Sequence, residues 1–214
     1  MKNTKIALPI YKILYSICFI VLLSVVRGIS YISEIGISID PNVSILAIVF
    51  CADVLECEYR EKRWEVFSLL PQKSRMRTVR QRFLIEWMYL WMLAVLGYWL
   101  FYWQNPQEAG ISPVYLYGIF CVAVGASIFF WGALSAAIVN LTHALFPGIG
   151  ITILIWLCFN SKGGEKLLGN LNVFAFNFRD IMSVQDYGWV IGKVAAVGIA
   201  LILLAKPSVM RRKG

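Results

Sequence analysis

Four ionisable residues stand inside otherwise apolar stretches of this sequence: Asp53, Glu86, Arg27 and Lys193. A charge inside an apolar helix is costly, so such residues usually form ion pairs, gates or ion pathways. Asp53 and Glu86 have short side chains near the ends of their stretches, and basic residues lie between them in the sequence. We therefore predict that they are gating charges that pair with arginines of the intervening segment. The long side chains of Arg27 and Lys193 are expected to extend to water instead.

The sequence contains few residues that could form a metal site, a disulfide framework or a nucleotide-binding site. The chain has one histidine, His143, and five cysteines without a Cys-x2-Cys pair, so neither a zinc site nor a disulfide framework is predicted. A Gly-x4-Gly-Lys-Ser/Thr motif, which would cradle nucleotide phosphates, is absent from the sequence. We expect no catalytic, cofactor-binding or metal-binding residue on this chain. His143 follows Asn140 and Thr142 in a predicted polar turn, and a proton relay through it is the alternative.

The composition indicates which elements must hold these charges. Of 214 residues, 59% are apolar and 15% are charged, and the mean hydropathy is +0.70. Soluble domains average roughly 45–50% apolar and 25% charged residues. Because a membrane helix needs about 20 mostly apolar residues, the sequence predicts an all-α integral membrane protein, a single transmembrane domain over residues 1–214. Its six predicted spans cover approximately residues 10–29, 42–55, 83–103, 113–139, 141–159 and 187–205.

Two of these boundaries have alternatives. The second span is short unless its helix starts inside the preceding loop, which holds Asp40 and Pro41. Spans four and five could be one long kinked helix, which would reduce the count to five. Pro147 and Gly148 predict a kink in the fifth span.

The placement of basic residues orients the spans. With the N-terminus inside, fifteen of the 20 basic residues fall in inner segments and three in outer loops. This asymmetry is typical of membrane proteins, whose cytoplasmic loops are enriched in Lys and Arg. We expect both termini to be cytoplasmic. The net charge of +8 then reflects topology, and a nucleic acid is not predicted as a partner.

The longest inner loop, residues 56–82, begins with a predicted amphipathic helix. One face, at about 100° per residue, carries Tyr59, Arg63, Val66, Phe67 and Leu70. The opposite face carries Glu58, Glu61, Lys62 and Glu65. Pro71 ends the helix, since the residue before a proline avoids the helical conformation. A basic run at residues 73–82 then leads into the third span.

This order of a short span, an amphipathic helix, Leu-Leu-Pro, a basic run and a long span resembles ABC-2 type transporter permeases. Members of that family have six spans with both ends inside, and their first inner loop carries an acidic residue, a leucine-containing helix and a proline before basic residues. The positions that match here are Glu58, Glu65, Leu69, Pro71 and Arg75. The family's usual Gly-Thr is missing, and Lys62, Arg63 and Trp64 stand in its place. The overall layout covers nearly the whole chain, whereas the local motif is short.

The resemblance implies the membrane-spanning permease subunit of an ABC exporter, in the plasma membrane of a bacterium, with no catalytic site of its own. A separate ATP-binding subunit would hold ATP and Mg, and a second permease subunit, identical or related, would complete the transporter. The cargo would be hydrophobic or amphipathic, such as a peptide, lipid or drug. In that family the loop helix docks in a groove of the ATPase, a common mode of helix recognition. The docking residues would be Glu58, Tyr59, Arg63, Glu65, Phe67, Leu70 and Pro71.

Other interpretations are open. The loop helix could lie on the lipid surface, with the basic run on anionic headgroups. A stand-alone carrier or an intramembrane enzyme would need polar residues at mid-depth, and the predicted spans offer few. A non-transporting scaffold is the third alternative.

The longest outer loop, residues 160–186, is expected to fold back onto the membrane as a short helix or re-entrant hairpin and to cap a cargo exit.

Overall fold

The computed structural model describes residues 6–54, 71–108, 111–178 and 187–205, and within these ranges the chain is helical apart from turns and one isolated bridge between Tyr31 and Gln107. Eight α-helices lie wholly within these ranges: α1 (Ile10–Val26), α2 (Ile32–Cys51), α3 (Gln72–Tyr102), α4 (Pro113–Thr142), α5 (Leu145–Phe159), α6 (Lys162–Leu168), α7 (Ala175–Phe178) and α8 (Gly188–Ala205). A 3₁₀ turn, Gly169–Leu171, follows α6. The predicted all-α class is confirmed for this part of the chain.

The centre of the bundle consists of α2 and α4. Both helices are apolar around most of their circumference, which is typical of a helix buried on all sides. Ile39 of α2 and Val124 of α4 are fully buried in one apolar cluster. The Ser135 hydroxyl of α4 donates a hydrogen bond to the backbone oxygen of Ile48 in α2 at 2.6 Å. The long helices α3, α5 and α8 pack against this pair, and α1 packs against α3.

The first helix turns its polar side inward and its apolar side outward. The buried side chains of α1 recur every fourth residue and are Lys12, Ser16, Ile20 and Ser24. The outer side chains are apolar, and Ile10 and Val25 are about three-quarters exposed. Leu154 of α5 and Val194 of α8 are also more than half exposed. An apolar exterior over a partly polar interior suits lipid rather than water as the solvent, and it indicates a multi-pass membrane protein.

Four of the described helices, α2, α3, α4 and α8, are long and apolar enough to cross a membrane. A fifth candidate is α5 continued by α6 and the 3₁₀ turn, with a bend of 73° between the two parts. The apolar helix α1 has 17 residues, or about 25 Å of helix, against a hydrocarbon core of about 30 Å. The described residues therefore contain four or five candidate spans, where the sequence predicts six.

The second span differs from its prediction. Its helix begins at Ile32 rather than near Asn42, so Asp40 and Pro41 lie inside α2 and not in a loop. Proline has no backbone N–H and removes one bond of the helical ladder. Pro41 therefore leaves the backbone oxygen of Ile37 without its i→i−4 donor, and the side-chain amide of Asn42 donates to the next backbone oxygen, that of Ser38, at 2.7 Å.

The third helix is also longer than its predicted span. Pro71 is the N-cap of α3, so the basic run of residues 73–82 forms the first part of the same helix that contains residues 83–102. A helix of 31 residues is about 46 Å long and exceeds the thickness of the hydrocarbon core. The basic end of the predicted inner loop and the membrane-crossing segment thus form one continuous helix.

The fourth and fifth spans are separate helices joined by a tight turn. His143, with φ of 55°, is the left-handed C-cap of α4, and α5 begins two residues later. Pro147 is the third residue of α5, where a helix N–H has no intrahelical partner, so it fits the first turn and does not produce the predicted kink. A Cβ atom on Gly148 would lie only 2.6 Å from the Cα of Val139 in α4. The two backbones therefore approach closely at this point.

The segment after α5 folds back against the bundle as short helices. The side-chain amide of Asn172 donates to the backbone oxygen of Phe159 at 2.8 Å. Phe174 and Phe176 are buried, and the ring of Phe174 stacks on Trp131 of α4 with 5.7 Å between the ring centroids. The rest of the predicted outer loop, residues 179–186, lies outside the described residues.

The contact between α4 and α5 gives a stability test. We expect Gly148→Ala to lower the free energy of unfolding by about 1–3 kcal/mol, because the added methyl overpacks against the backbone of Val139. Gly150→Ala is the matched control, since a Cβ there meets nothing within 4 Å, and it should be neutral or slightly stabilising. Unfolding of both purified variants in mild detergent measures the difference. Equal stability of the two would contradict the close approach.

Candidate functional site

One lysine holds two carboxylates at the end of the bundle where α1 begins and α2 ends, which we call the loop end. Lys12 Nζ lies 2.7 Å from Asp53 Oδ1 and 2.8 Å from Glu86 Oε1. It also donates to the backbone oxygen of Phe50 at 3.1 Å. An ammonium group has three N–H donors, so these three acceptors satisfy all of them. We name Lys12, Asp53 and Glu86 the Lys12 cluster.

The Lys12 cluster is largely sheltered from solvent. Lys12 is 5% exposed and Glu86 1% exposed, whereas the side chain of Asp53 is 25% exposed. The ammonium also lies over the ring of Phe50, 5.2 Å from its centroid, which adds a cation–π attraction. Buried charges persist in proteins when they are paired and hydrogen-bonded. Each member of the cluster is therefore needed to keep the others in place.

Three separate segments supply the Lys12 cluster. Lys12 is the third residue of α1, Asp53 follows the C-cap of α2, and Glu86 lies in α3. The hydroxyl groups of Ser16 and Tyr89, 2.6 Å apart, hold α1 against α3 one turn farther along. Because residues 55–70 connect α2 to Pro71 and α3, the cluster joins both flanks of the predicted docking loop to the start of α1.

The charges of the Lys12 cluster do not cancel. Two carboxylates face one ammonium, which leaves a net negative charge when all three groups are ionised. Arg82 lies four residues before Glu86 on the same side of α3 and is also buried, with 3% exposure. Arg82 thus adds a positive charge on the side of α3 that carries Glu86.

A second buried ion pair lies near the middle of the bundle. Lys193 Nζ in α8 is 2.9 Å from Asp40 Oδ2 in α2, and it also donates to the hydroxyl of Ser127 in α4. Lys193 is 4% exposed and Asp40 is fully buried. Asp40 is the ninth residue of a helix of 20, which places this pair at mid-depth. We name Asp40 and Lys193 the Asp40 pair; it connects α2, α4 and α8.

The structure brings the two predicted gating residues together on a cation that the sequence does not assign to them. Asp53 and Glu86 share Lys12, which precedes both of them in the sequence. Their pairing with arginines of the loop stays a prediction, and so does their role in gating. Six of the predicted docking residues lie outside the described residues, namely Glu58, Tyr59, Arg63, Glu65, Phe67 and Leu70, while Pro71 is described as the N-cap of α3.

The expectation that Lys193 extends to water is wrong. Its side chain is buried because it has an acidic partner, Asp40, which the sequence had suggested to be a loop residue. Arg27, in contrast, is exposed at the C-cap of α1, where its side chain can reach water.

Sequence reasoning missed three residues of these two sites: Lys12, Asp40 and Ser127. Lys12 resembled an ordinary inner-surface charge because it lies close to the N-terminus, and Asp40 resembled a loop residue because Pro41 follows it. One signal could have placed Asp40 correctly. Ile35, Ile39 and Val43 continue an apolar stripe at four-residue spacing across it, which is the pattern of an uninterrupted helix.

Comparisons with known proteins add no assignment to this geometry. The chain matches no protein-family model, no curated protein and no solved structure. Among the described residues, no group of three His, Cys, Asp or Glu side chains is arranged to hold a metal ion.

The Lys12 cluster predicts that removing its cation strongly lowers the stability of the protein. We expect Lys12→Met to lower the free energy of unfolding by about 3–5 kcal/mol, because two carboxylates lose their buried partner. Adding Glu86→Gln to this variant should restore part of the loss, since one fewer buried charge is left uncompensated. The control Lys162→Met removes an exposed lysine and should change stability by less than about 0.5 kcal/mol. Detergent unfolding curves that fail to separate Lys12→Met from the control would contradict the cluster.

The Asp40 pair predicts that substitutions of its two residues have non-additive effects on the free energy of unfolding. Asp40→Asn and Lys193→Met should each destabilise the protein by about 3–5 kcal/mol, because each leaves one buried charge unpaired. The double variant removes both charges and should recover more than half of the summed loss. A double-mutant cycle on unfolding in detergent measures this coupling. Simple addition of the two losses would show that the side chains do not interact.

Proposed function

We propose that this chain is the membrane-spanning permease subunit of an ATP-driven ABC exporter of the ABC-2 type, in the plasma membrane of a bacterium. It works with a separate ATP-binding subunit and a second permease subunit, and moves a hydrophobic or amphipathic cargo. The observation that carries the proposal is the Lys12 cluster, because one ammonium ties together the two flanks of the loop that the sequence predicts to dock on the ATPase.

The Lys12 cluster suits the task of passing a movement of the loop to the spans. A force on residues 56–70 acts on Asp53 at one flank and on α3 at the other, because Pro71 is directly followed by that helix. Lys12 links both flanks to α1 through bonds of 2.7 and 2.8 Å. Closure of the ATP-binding subunits would therefore displace α1, α2 and α3 together.

The packing also supports six spans with both termini on the same side. The start of α1 contacts Glu86 of α3 through Lys12, and the end of α8 contacts Arg80 of α3. That guanidinium donates to the backbone oxygen of Leu204 through Nε at 3.3 Å and Nη2 at 3.2 Å. The start of α1 and the end of α8 thus lie at the loop end of the bundle, the side at which we place the cytoplasm.

The Asp40 pair favours a second candidate function, a stand-alone carrier driven by an ion gradient. Charged residues at mid-depth mark proton and ion pathways in membrane transporters, and one carboxylate oxygen of Asp40 has no hydrogen-bond partner among the described residues. Proton-dependent transport by the purified chain in vesicles, without ATP or any partner, would establish this candidate in place of the exporter.

The docking prediction is tested by co-purification. We expect the tagged full chain, isolated from its native host in mild detergent, to carry an ATPase that contains the Gly-x4-Gly-Lys-Ser/Thr motif. Phe67→Lys and Leu70→Lys should reduce the ATPase recovered at least tenfold, because each puts a charge on the apolar docking face. Quantitative mass spectrometry of the eluate measures the ratio of ATPase to permease.

The control for this experiment is Glu61→Lys, which introduces the same side chain on the opposite face of the predicted helix. It should leave ATPase recovery within about twofold, as expected for a solvent-facing change. Full recovery of the ATPase with Phe67→Lys and Leu70→Lys would show that these residues do not dock it. Absence of any ATPase from the wild-type eluate would contradict the proposed function itself.

A further inference from the structure

A basic groove lies between the start of α3 and the end of α8. Its volume is about 1050 Å³, and its lining residues are Pro71, Lys73, Ser74, Met76, Arg77, Arg80, Gln81, Leu84 and Ala205. Three of these residues are cations, and none of the described lining residues is acidic. Among the described residues, the lining of the groove therefore carries a positive charge at the loop end.

The three cations of the groove share one side of α3. Lys73, Arg77 and Arg80 are spaced by four and three residues, which places their side chains along one helical face. Arg80 is fixed in orientation, because two of its nitrogens donate to the backbone oxygen of Leu204. That contact holds α8 against α3 and forms the closed side of the groove.

The groove changes from basic to apolar along α3. Its cations lie in the part of α3 nearest the loop end, and Leu84 lies one turn deeper than Arg80. Met76 and Ala205 are apolar residues that lie among the cations. A phospholipid has the same polarity along its length, with a phosphate at the membrane surface and acyl chains below it. Basic pockets between membrane helices are a known arrangement for anionic headgroups.

We infer that this groove binds one anionic phospholipid, with its phosphate on Lys73, Arg77 and Arg80 and an acyl chain along Leu84. The charge of the groove selects an anionic over a zwitterionic headgroup, and its apolar wall selects a lipid over a soluble phosphate. The C-terminal tail is an unsuitable occupant, because residues 206–214 contain four basic residues and no acidic one. The site depends on the membrane location of the chain and not on the proposed exporter function.

Native mass spectrometry of the full chain in detergent tests this site, with dioleoyl-phosphatidylglycerol or dioleoyl-phosphatidylcholine added. The wild type should bind one phosphatidylglycerol at least tenfold more tightly than phosphatidylcholine. The double variant Lys73→Gln/Arg77→Gln should lose about fivefold in affinity per cation removed, or about 25-fold in total. The matched control is Arg75→Gln, which removes a cation from the same run that does not line the groove, and it should bind as the wild type does.

A second variant keeps the test valid if the charge variants fold poorly. Leu84→Trp keeps every cation and fills the apolar part of the groove, so it should also weaken phosphatidylglycerol binding. Equal binding of phosphatidylcholine and phosphatidylglycerol would overturn the inference. So would competition by glycerophosphate at the same concentration as the lipid, which would identify a soluble phosphate ligand. Loss of a protein partner from the double variant, with unchanged lipid binding, would assign the groove to that partner instead.

Discussion

The position of three helices in this protein depends on the ammonium group of Lys12. Lys12 must be inside the bundle because its three N–H groups are bound there by Asp53, Glu86 and the backbone of Phe50. The Glu86 carboxylate cannot remain buried without it, since an unpaired buried charge costs several kcal/mol. This mutual requirement fixes the start of α1, the end of α2 and the middle of α3 relative to one another. It acts at the one end of the bundle where the chain leaves for the predicted docking loop.

The rest of the bundle follows from lipid being its solvent. An apolar exterior gives helices no reason to aggregate in a lipid environment, so packing and polar contacts determine the interior. The Asp40 pair connects α2, α4 and α8 at mid-depth, while the Lys12 cluster connects α1, α2 and α3 at the loop end. The central helix α2 belongs to both sites, and about 20 Å of helix separates Asp40 from Asp53. A displacement at the loop end is thus connected to the mid-depth pair through a single rigid helix.

The sequence predicts the elements of this fold better than their contacts. Apolar stretches of about 20 residues locate most helices, because lipid requires continuous helical backbone. The sequence predicts too late a start for α2, because Asp40 and Pro41 together resemble a loop. Only the packed structure shows Lys193, the partner that allows the Asp40 carboxylate inside a buried helix. Asp53 and Glu86 could be recognised from their own positions. Their cation could not, because Lys12 lies 41 and 74 residues away from them, and no helical periodicity reports such a distant contact.

The contact between Lys12 and its two carboxylates can be measured in a lipid bilayer by solid-state NMR. The full chain would carry ¹⁵N in the lysine side chains and ¹³C in the carboxyl groups of Asp and Glu, and rotational-echo dephasing would report direct nitrogen–carboxyl contacts. We expect strong dephasing of two Asp signals and one Glu signal, because Lys193 dephases Asp40 while Lys12 dephases Asp53 and Glu86. In Lys12→Arg, whose side chain lacks the labelled ammonium, the Glu signal and one Asp signal should lose their dephasing. A wild-type spectrum without a dephased Glu signal, or Lys12→Arg with unchanged dephasing of Glu and both Asp signals, would show that Lys12 does not join the two flanks of the loop.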